Sequence, residues 1–257
     1  MERITSKTNK IIKDTKKLIT SSSARRESGL FVLEGARLCF DVLNSVYTVK
    51  TLFVTEKLMS KYPDEVSALE CRSDRAYVIT DDIAQKLTDT DSPQGIFAVC
   101  SIYDSTAPLG SKVIALDNVQ TPSNVGAIIR TAEALGIDSV LIGGGCDIYN
   151  PKVLRASMGS VLRMHTVMCD ELAETLGKLK ADYQICATVP RSSATAITKL
   201  DFTKPTVSVI GNEANGVSRE VLDCAHTLIT IPMKGKAESL NASVAASITM
   251  WEMMRCD

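Results

Sequence analysis

The stretch ITIPMKGKAESLNASVAAS, residues 229–247, carries the chain from a predicted strand into its last helix. Apolar residues at helical spacing predict that this helix is buried: Val244, Ile248, Met250, Trp251 and Met254. Polar residues stand where the helix should begin: Glu238, Ser239, Asn241 and Ser243. One Ser or Asn side chain is enough to cap a first helical turn. The additional polar groups therefore require an explanation beyond capping.

The composition is typical of a soluble globular protein, with 45% hydrophobic and 23% charged residues among 257. The sequence contains neither a long apolar run nor the apolar core of a signal peptide, so we expect a cytoplasmic protein without a membrane partner. The eight cysteines form no CxxC pair, since the nearest two are 17 residues apart. His165 and His226 lie at the starts of predicted strands, where we expect structural roles. We therefore expect no metal site.

Positive charge is concentrated at the N-terminus, although the net charge of the whole chain is −1. Residues 1–26 contain only two acidic residues beside a series of basic ones: Arg3, Lys7, Lys10, Lys13, Lys16, Lys17, Arg25 and Arg26. We call this segment the basic arm. Such a segment is typical of a surface that contacts nucleic-acid phosphates. A solvated helix face is an equally good interpretation of the same residues.

The first hundred residues predict a small α/β unit. Strands are expected at residues 30–35, 51–55, 76–80 and 96–101, and an amphipathic helix is expected around Ile11–Ile19. A polar turn, TSSSARRESG, is predicted at 20–29. The polar segment 103–112 contains Pro and Gly and is the predicted linker.

Beyond the linker, strands and helices alternate to the end of the chain, and one of these helices is expected at 151–162. Such alternation predicts an α/β domain whose parallel sheet is covered by helices on both faces. Parallel sheets bind ligands beyond the carboxyl ends of their strands. The loops after residues 113–117, 206–211 and 227–232 are therefore the places where a site is expected.

The first of these loops contains the pattern N-x-G-x-x-x-R, formed by Asn124, Gly126 and Arg130. Asn124 is placed to cap the following helix, and Gly126 would let a backbone approach closely. Arg130 has small or apolar neighbours, which favours a fixed anionic partner such as phosphate. An ion pair with Glu133 or another surface carboxylate is the alternative.

The second loop contains the pattern G-x-E-x-x-G, formed by Gly211, Glu213 and Gly216 directly after a strand. Its glycines predict a tight loop whose main chain contacts a ligand, although an ordinary turn is equally plausible. Neither a dinucleotide fingerprint nor an ATP phosphate loop is present. Gly211, Ile231 and Leu240 lie on loops that should converge at one edge of the sheet, where backbone groups could hold a small polar ligand.

Taken in order, these motifs make the C-terminal half closely resemble the SpoU family of RNA ribose 2′-O-methyltransferases, within the SPOUT superfamily. The likeness runs from about Lys112 to Arg255 and includes the family string IPMxGxxxSLNxSVA at Ile231 to Ala245. The N-terminal half is similar to the substrate-binding domain often found ahead of it, whose fold is like that of a kink-turn-binding ribosomal protein. That likeness is carried by Arg25 to Arg37 and Pro93 to Val99. We therefore expect an RNA substrate-binding domain at 1–104 and a methyltransferase domain at 105–257.

The resemblance implies S-adenosylmethionine as the cofactor, a deep trefoil knot in the catalytic domain, and a homodimer formed through that domain. It implies cofactor contacts at these positions: Gly211, Ile231, Leu240, Thr188 and Val189. It also implies that the reaction side is lined by Asn124, Arg130, Glu213, Ser239 and Asn241. The start of the last helix would then meet both the cofactor and the target ribose, which accounts for its polar residues.

The implied reaction is a direct displacement, in which the ribose oxygen attacks the methyl group and no enzyme nucleophile is needed. Arginine stays charged in proteins, so we prefer Arg130 as a phosphate clamp that stabilises developing negative charge, and not as the base. RNA contacts are expected from the basic arm and from one residue near the site: Lys7, Lys10, Lys13, Lys16, Lys17, Arg25, Arg26 and Arg155.

Several functions are compatible with these patterns. The favoured one is methylation of a structured RNA, with 23S ribosomal RNA ahead of transfer RNA because of the N-terminal domain. A non-catalytic RNA-binding or ribosome-assembly factor on the same fold is disfavoured by the intact Arg130 and Asn241. An enzyme acting on small nucleotides is disfavoured by the missing phosphate loops and by the basic arm.

Overall fold

The structure is a computed structural model that describes residues 1–88, 92–103 and 105–255. The predicted domain boundary at 104 and the cysteine at 256 lie outside the described residues. The chain divides into two compact units. The first unit comprises Met1–Tyr103 together with Tyr149–Arg155, and the second comprises the rest of the described chain.

The first unit is built on a mixed sheet. Its strands are β1 (Glu2–Ile4), β2 (Leu30–Glu34), β3 (Val49–Thr55), β4 (Ser73–Ile79) and β5 (Ile96–Ser101), in the order β1-β4-β3-β5-β2. Strands β1, β4 and β3 are parallel, whereas β5 runs antiparallel to β3 and β2. The predicted strands are present, but β1 has only three residues, which is too short to show a periodicity in the sequence.

Helices cover this sheet at α1 (Lys10–Thr20), α2 (Ser22–Ser28), α3 (Ala36–Asp41), α4 (Glu56–Lys61), α5 (Pro63–Cys71) and α6 (Asp81–Leu87). The turn predicted at 20–29 is instead the helix α2. Ser21 caps α2 by accepting the amide of Ala24, and Gly29 ends it in a left-handed conformation with a φ of 65°. The polar composition of this segment therefore led to the prediction of a turn, although the segment forms a short capped helix.

The second unit is built on a parallel sheet. Its strands are β6 (Lys112–Asp117), β7 (Ser139–Gly143), β8 (Thr166–Cys169), β9 (Gln184–Thr188), β10 (Thr195–Ala196), β11 (Thr206–Ile210) and β12 (Thr227–Thr230). They lie in the order β10-β12-β9-β11-β6-β7-β8, and every neighbouring pair is parallel. Strands β6 and β11 are buried along their whole length, as expected for a sheet covered on both faces. The predicted α/β fold with a parallel sheet is confirmed.

The helices of the C-terminal half are α7 (Pro122–Leu135), α8 (Pro151–Ser157), α9 (Leu172–Leu179), α10 (Arg219–Cys224) and α11 (Ala242–Met254). The sequence predicts that α8 continues to residue 162, but it ends at Ser157. Met158 and Gly159 have φ angles of 53° and 90°, which a right-handed helix cannot contain. A short 3₁₀ turn, Ser160–Leu162, follows them.

Helix α11 contradicts the prediction of a helix that is buried along its apolar positions. Met250 is fully buried, but Val244, Ile248 and Trp251 expose 46%, 37% and 60% of their surface. These three residues are spaced four and three apart and therefore share one face of the helix, which we call the α11 face. Apolar residues occur on all sides of α11, so periodicity does not distinguish its buried side from its exposed side.

The two histidines have the structural contacts that the sequence predicts. His226 Nδ1 accepts the amide of Ile185 at 3.0 Å, and His165 Nδ1 lies 2.8 Å from the hydroxyl of Ser139. Across the described ranges, no cluster of His, Cys, Asp and Glu side chains could hold a metal ion. None of the helices in this part of the chain combines the length and apolarity needed to cross a bilayer.

Candidate functional site

Three neighbouring strands of the parallel sheet end at one pocket. Strands β12, β9 and β11 are adjacent, and the segments beyond their last residues form the pocket walls. The loop at 231–240 and the start of α11 complete a cavity of about 510 Å³. Two of the three loops predicted from the sequence contribute to it. The third wall of the pocket is the segment after β9, because β9 lies between β12 and β11 in the sheet.

Every residue predicted to contact a cofactor lines this pocket: Thr188, Val189, Gly211, Ile231 and Leu240. Two residues of the predicted reaction side, Glu213 and Ser239, also line it, whereas Asn124, Arg130 and Asn241 do not. The hydroxyl of Thr188 is buried and has no hydrogen-bond partner in the described part of the chain. Buried polar atoms are rarely left without a partner, so this hydroxyl marks a place for a polar group of a ligand.

The G-x-E-x-x-G loop closes on itself at its two glycines. A Cβ atom on Gly211 would lie only 2.2 Å from the carbonyl carbon of Gly216. Asn212 and Gly216 exchange two backbone hydrogen bonds of 2.9 Å, and Gly216 has a φ of 71°. The sequence left open whether this loop contacts a ligand or is an ordinary turn. In the structure it is a tight turn that also forms part of the pocket wall.

Glu213 joins this loop to the start of α7. Its carboxylate accepts hydrogen bonds from the amides of Gln120 and Thr121 at 3.0 Å and from Asn124 Nδ2 at 2.9 Å. Burial raises the pKa of Glu213, but these hydrogen bonds outweigh it and lower the pKa from 4.5 to about 2. At neutral pH, Glu213 is therefore an ionised anchor at a helix N-terminus and a very weak base.

Asn124 and Asn241 extend this contact to the last helix. Asn241 Nδ2 donates to Asn124 Oδ1 at 3.1 Å, and Asn241 caps α11 because its Oδ1 accepts the amide of Ser243 at 2.9 Å. Asn124 is not the cap that the sequence predicts, since Thr121 is the N-cap of α7 and Asn124 is buried in the first turn. Its amide instead links Glu213 to Asn241. We call Glu213, Asn124 and Asn241 the anchor network.

Two further contacts hold the same loop and were missed by the sequence analysis. Asp117, at the end of β6, accepts the amide of Ser218 at 2.6 Å. Asn212 Nδ2 donates to the carbonyl of Asn118 at 2.8 Å. Asp117 is only 7% exposed, and a carboxylate at the end of a buried strand is the signal that could have revealed it.

Arg130 lies outside both the anchor network and the pocket. Its side chain is exposed and forms no ion pair or hydrogen bond with any residue in the described ranges. The predicted alternative partner, Glu133, accepts hydrogen bonds from Arg163 Nε at 2.6 Å and from the hydroxyl of Ser160 at 2.7 Å. The interpretation of Arg130 as a partner of Glu133 is therefore wrong, and its guanidinium is available to an external anion.

The structure corrects the prediction that Arg25 contacts RNA. Arg25 is only 3% exposed, and its guanidinium donates to the carbonyls of Leu18 and Ile19 at 2.5 and 3.3 Å. The last carbonyls of a helix have no partner within the helix, and Arg25 satisfies two of them at the end of α1. Its role is structural.

Other basic residues are also engaged within the first unit. Lys16 donates to the carbonyls of Leu87 and Thr88, and Lys7 lies 3.5 Å from Asp82. Arg155, which was predicted to contact RNA near the site, belongs to the first unit, and its Nη1 lies 3.8 Å from Glu34 Oε2. Arg3 pairs with Glu56, so the exposed residues of the basic arm without a partner in the described ranges are Lys10, Lys13, Lys17 and Arg26. The three lysines follow helical spacing along one side of α1, which we call the α1 face.

Two families match successive parts of the chain. Residues 111–251 match the SpoU rRNA Methylase family, and residues 9–98 match the MRM3-like substrate binding domain. The chain is 32% identical to the 23S rRNA (guanosine(2553)-2′-O)-methyltransferase RlmP of Bacillus subtilis, over 98% of this chain and 99% of that protein. The similarity therefore extends over both units.

Solved structures have the same fold over nearly the whole chain. The AdoMet-bound rRNA methyltransferase from Sinorhizobium meliloti aligns with a TM-score of 0.88 and 29% identity, covering 99% of this chain and 98% of that one. The SpoU methyltransferase AviRb from Streptomyces viridochromogenes, in complex with AdoMet, aligns with a TM-score of 0.86 and 25% identity, covering 96% and 98%.

Proposed function

The chain belongs to the SpoU rRNA methylase family, and we propose that it transfers a methyl group from S-adenosylmethionine to a ribose 2′-hydroxyl of 23S ribosomal RNA. One observation in particular supports this proposal. Every residue that the family resemblance assigns to the cofactor lines a single pocket at the ends of β9, β11 and β12. The choice of 23S ribosomal RNA is supported by near full-length similarity to an enzyme that modifies that RNA.

The pocket suits S-adenosylmethionine in size and chemistry. Its volume of about 510 Å³ lies within the range of roughly 300–1,000 Å³ that small-molecule sites span. The Thr188 hydroxyl offers an unused polar atom, and Gly211 brings main chain to the pocket wall, while Ile231 and Leu240 provide apolar surface. We propose that these residues and Val189 hold the cofactor, which supplies a methyl group on a positively charged sulfur atom.

The anchor network would position the reacting groups. Well-oriented reactants can recover about 7–11 kcal/mol of a reaction barrier, so rigid placement is the main contribution required of the protein. Ser239 and Asn241, beside the start of α11, offer neutral polar groups to the ribose. The low pKa of Glu213 argues against a role as general base, and we propose that Glu213 positions α7 instead.

Arg130 is proposed to clamp an RNA phosphate beside the target ribose. It lies six residues beyond Asn124, or about 9 Å along α7. A planar guanidinium binds phosphate in a bidentate manner that an ammonium group cannot reproduce. Electrostatic donors of this kind also stabilise charge that develops on the attacking oxygen.

We propose that the first unit binds the RNA substrate and that 1–104 and 105–257 are the functional domains. The α1 face and Arg26 supply exposed positive charge to a unit that matches a substrate-binding domain. Attraction between such charges and phosphates supplies much of the affinity for nucleic acids. A ribosomal substrate would also place the protein in the cytoplasm.

A homodimer formed through the second unit is part of the proposal. The α11 face presents large apolar side chains to water, which favours an interaction surface. A second copy related by a twofold axis would bury the two faces against each other. We also propose that the C-terminal segment of the second unit threads through a loop as a deep trefoil knot, as the family resemblance implies. Light scattering on the purified protein should give twice the chain mass, and a monomer would contradict the dimer.

A methyl-transfer assay with defined RNAs tests the central proposal. Labelled S-adenosylmethionine should label 23S ribosomal RNA at a 2′-oxygen, and that mark should disappear from cells that lack the gene. Labelling of transfer RNA alone would identify the alternative substrate, and no labelling of either RNA would favour a non-catalytic factor.

In the same assay, Arg130→Lys should lower kcat/KM for RNA by about tenfold or more without weakening cofactor binding. Near-normal turnover would contradict the bidentate clamp.

A further inference from the structure

Arg191 is a charged residue of the pocket that the sequence analysis did not assign. It lies three residues beyond the end of β9 and lines the pocket next to Val189. Its backbone is held on both sides: the amide of Val189 donates to the carbonyl of Ile229 at 2.8 Å, and the carbonyl of Arg191 accepts the amide of Ala194 at 3.1 Å. One bond to β12 and one local turn therefore hold the backbone around Arg191, while its side chain remains exposed.

The charges that line the pocket are few and are not equally available. Among the pocket-lining residues of the described chain, Arg191 is the one cation, and the carboxylates are Glu213 and Glu238. Glu213 already accepts three hydrogen bonds from the start of α7. Neither Arg191 nor Glu238 forms an ion pair within the described ranges. The pocket therefore presents one available positive and one available negative side chain.

We propose that Arg191 binds the carboxylate at the methionine end of S-adenosylmethionine and leaves Glu238 for the ammonium group. This inference rests on the proposed function. The methionine end of the cofactor is a zwitterion, whereas its adenosine end is uncharged and suits the apolar and main-chain walls around Ile231 and Gly211. A guanidinium is the side chain best shaped to bind a carboxylate through two parallel hydrogen bonds. Arg191 thus selects and orients the cofactor and takes no part in the methyl transfer itself.

Two ligands that share the adenosine end can distinguish the contact made by Arg191 from the contacts made by the rest of the pocket. S-adenosylhomocysteine carries the ammonium and carboxylate groups, and 5′-methylthioadenosine lacks both. Calorimetry on the full chain should show that Arg191→Gln weakens S-adenosylhomocysteine by about tenfold, as expected for loss of a charge-assisted hydrogen bond. The affinity for 5′-methylthioadenosine should not change. Lys180→Gln removes the same charge from an exposed residue that precedes β9 and does not line the pocket, and it should change neither affinity.

Other outcomes would overturn the assignment in distinguishable ways. An equal loss for both ligands would mean that Arg191 supports the pocket wall and does not bind a carboxylate. Unchanged affinities, together with a raised KM for RNA, would assign Arg191 to an RNA phosphate. If the unaltered chain binds neither ligand, the proposed cofactor site is wrong and this inference is wrong with it. Retained binding of 5′-methylthioadenosine would keep the cofactor site even where the role of Arg191 is refuted.

Discussion

Two loops that line the pocket are held in different ways. The anchored loop, 211–218, is tied to its surroundings through Asn212, Glu213 and Ser218. The open loop, 231–240, is mostly exposed and makes no hydrogen bond to the described chain before Asn241. Hydrogen bonds to the surrounding chain therefore hold one wall of the pocket, whereas they do not hold the other.

This difference indicates a division of roles between the loops. Groups that are fixed in advance lose little freedom on binding and can orient a reaction accurately. Ordering a flexible backbone costs about 1–2 kcal/mol per residue, so we expect ordering of the open loop to lower the net affinity for the cofactor.

A methyl group added to each loop should have opposite consequences. A Cβ at 211 would overlap the backbone of Gly216, whereas a Cβ at 235 has no neighbour within 4 Å. Gly211→Ala should therefore lower the free energy of unfolding by about 3 kcal/mol and abolish measurable cofactor binding. Gly235→Ala should stay within about 0.5 kcal/mol and keep its affinity. Denaturant unfolding and calorimetry measure both quantities, and similar losses in the two variants would refute the distinction.

Asn241 stands where the open loop meets the anchor network, and its two contacts can be separated. Asn241→Ala should cost about 1 kcal/mol of stability through loss of the helix cap. Asn241→Ser keeps a cap but is too short to reach Asn124, so it should recover the stability while kcat/KM remains about tenfold low. Thermal unfolding and single-turnover assays give these values. Recovery of activity in Asn241→Ser would show that the bond to Asn124 has no catalytic role.

Cofactor binding should protect the two loops unequally from hydrogen exchange. Amides at 233–240 should exchange rapidly in the free chain and slow by about tenfold or more with S-adenosylhomocysteine. Amides at 212–218 should change much less, because Asn212, Glu213 and Ser218 already hold this loop. Mass spectrometry of exchanged peptides provides the measurement. Equal protection in the two segments would mean that both are ordered by the ligand.

The titration of Glu213 should have only a weak effect on stability. Because its pKa is lowered from 4.5 to about 2 in the folded chain, its ionised form stabilises the fold above pH 4.5, and this contribution is lost as pH falls toward 2. Between about pH 5 and 8 the contribution should be constant. Glu213→Gln should be less stable there, but its free energy of unfolding should fall less steeply than that of the unaltered chain below pH 4.5. Parallel slopes in acid would show that the anchor does not depend on charge.

The site was predictable from the sequence where local pattern and chemistry coincide. Gly211, Ile231 and Leu240 follow strands, and parallel strands bring their ends to one edge, so the order of strands and helices along the chain was enough to predict their convergence. Arg191 could not be found in this way. Its loop follows β9, and only the strand order places β9 between β12 and β11.

Basic residues show a second limit of sequence analysis. Arg25 and Arg26 are adjacent in the same arm, but Arg25 is buried against the end of α1 whereas Arg26 is exposed. Composition assigns both to a phosphate-binding surface. Their difference depends on which unsatisfied carbonyls lie within reach, and that depends on how α2 folds back on α1.

The sequence alone predicts an α/β protein with two parts. It also predicts a parallel sheet in the second part and a set of loop motifs at the ends of its strands. Periodicity and residue chemistry act over a few neighbouring positions, and the sequence states them directly. Only the tertiary structure shows that Glu213 is an anchor, that Arg130 is unpaired within the described chain, and that one side of α11 is exposed. These properties depend on burial and hydrogen bonds between residues far apart in the chain, which no local pattern specifies.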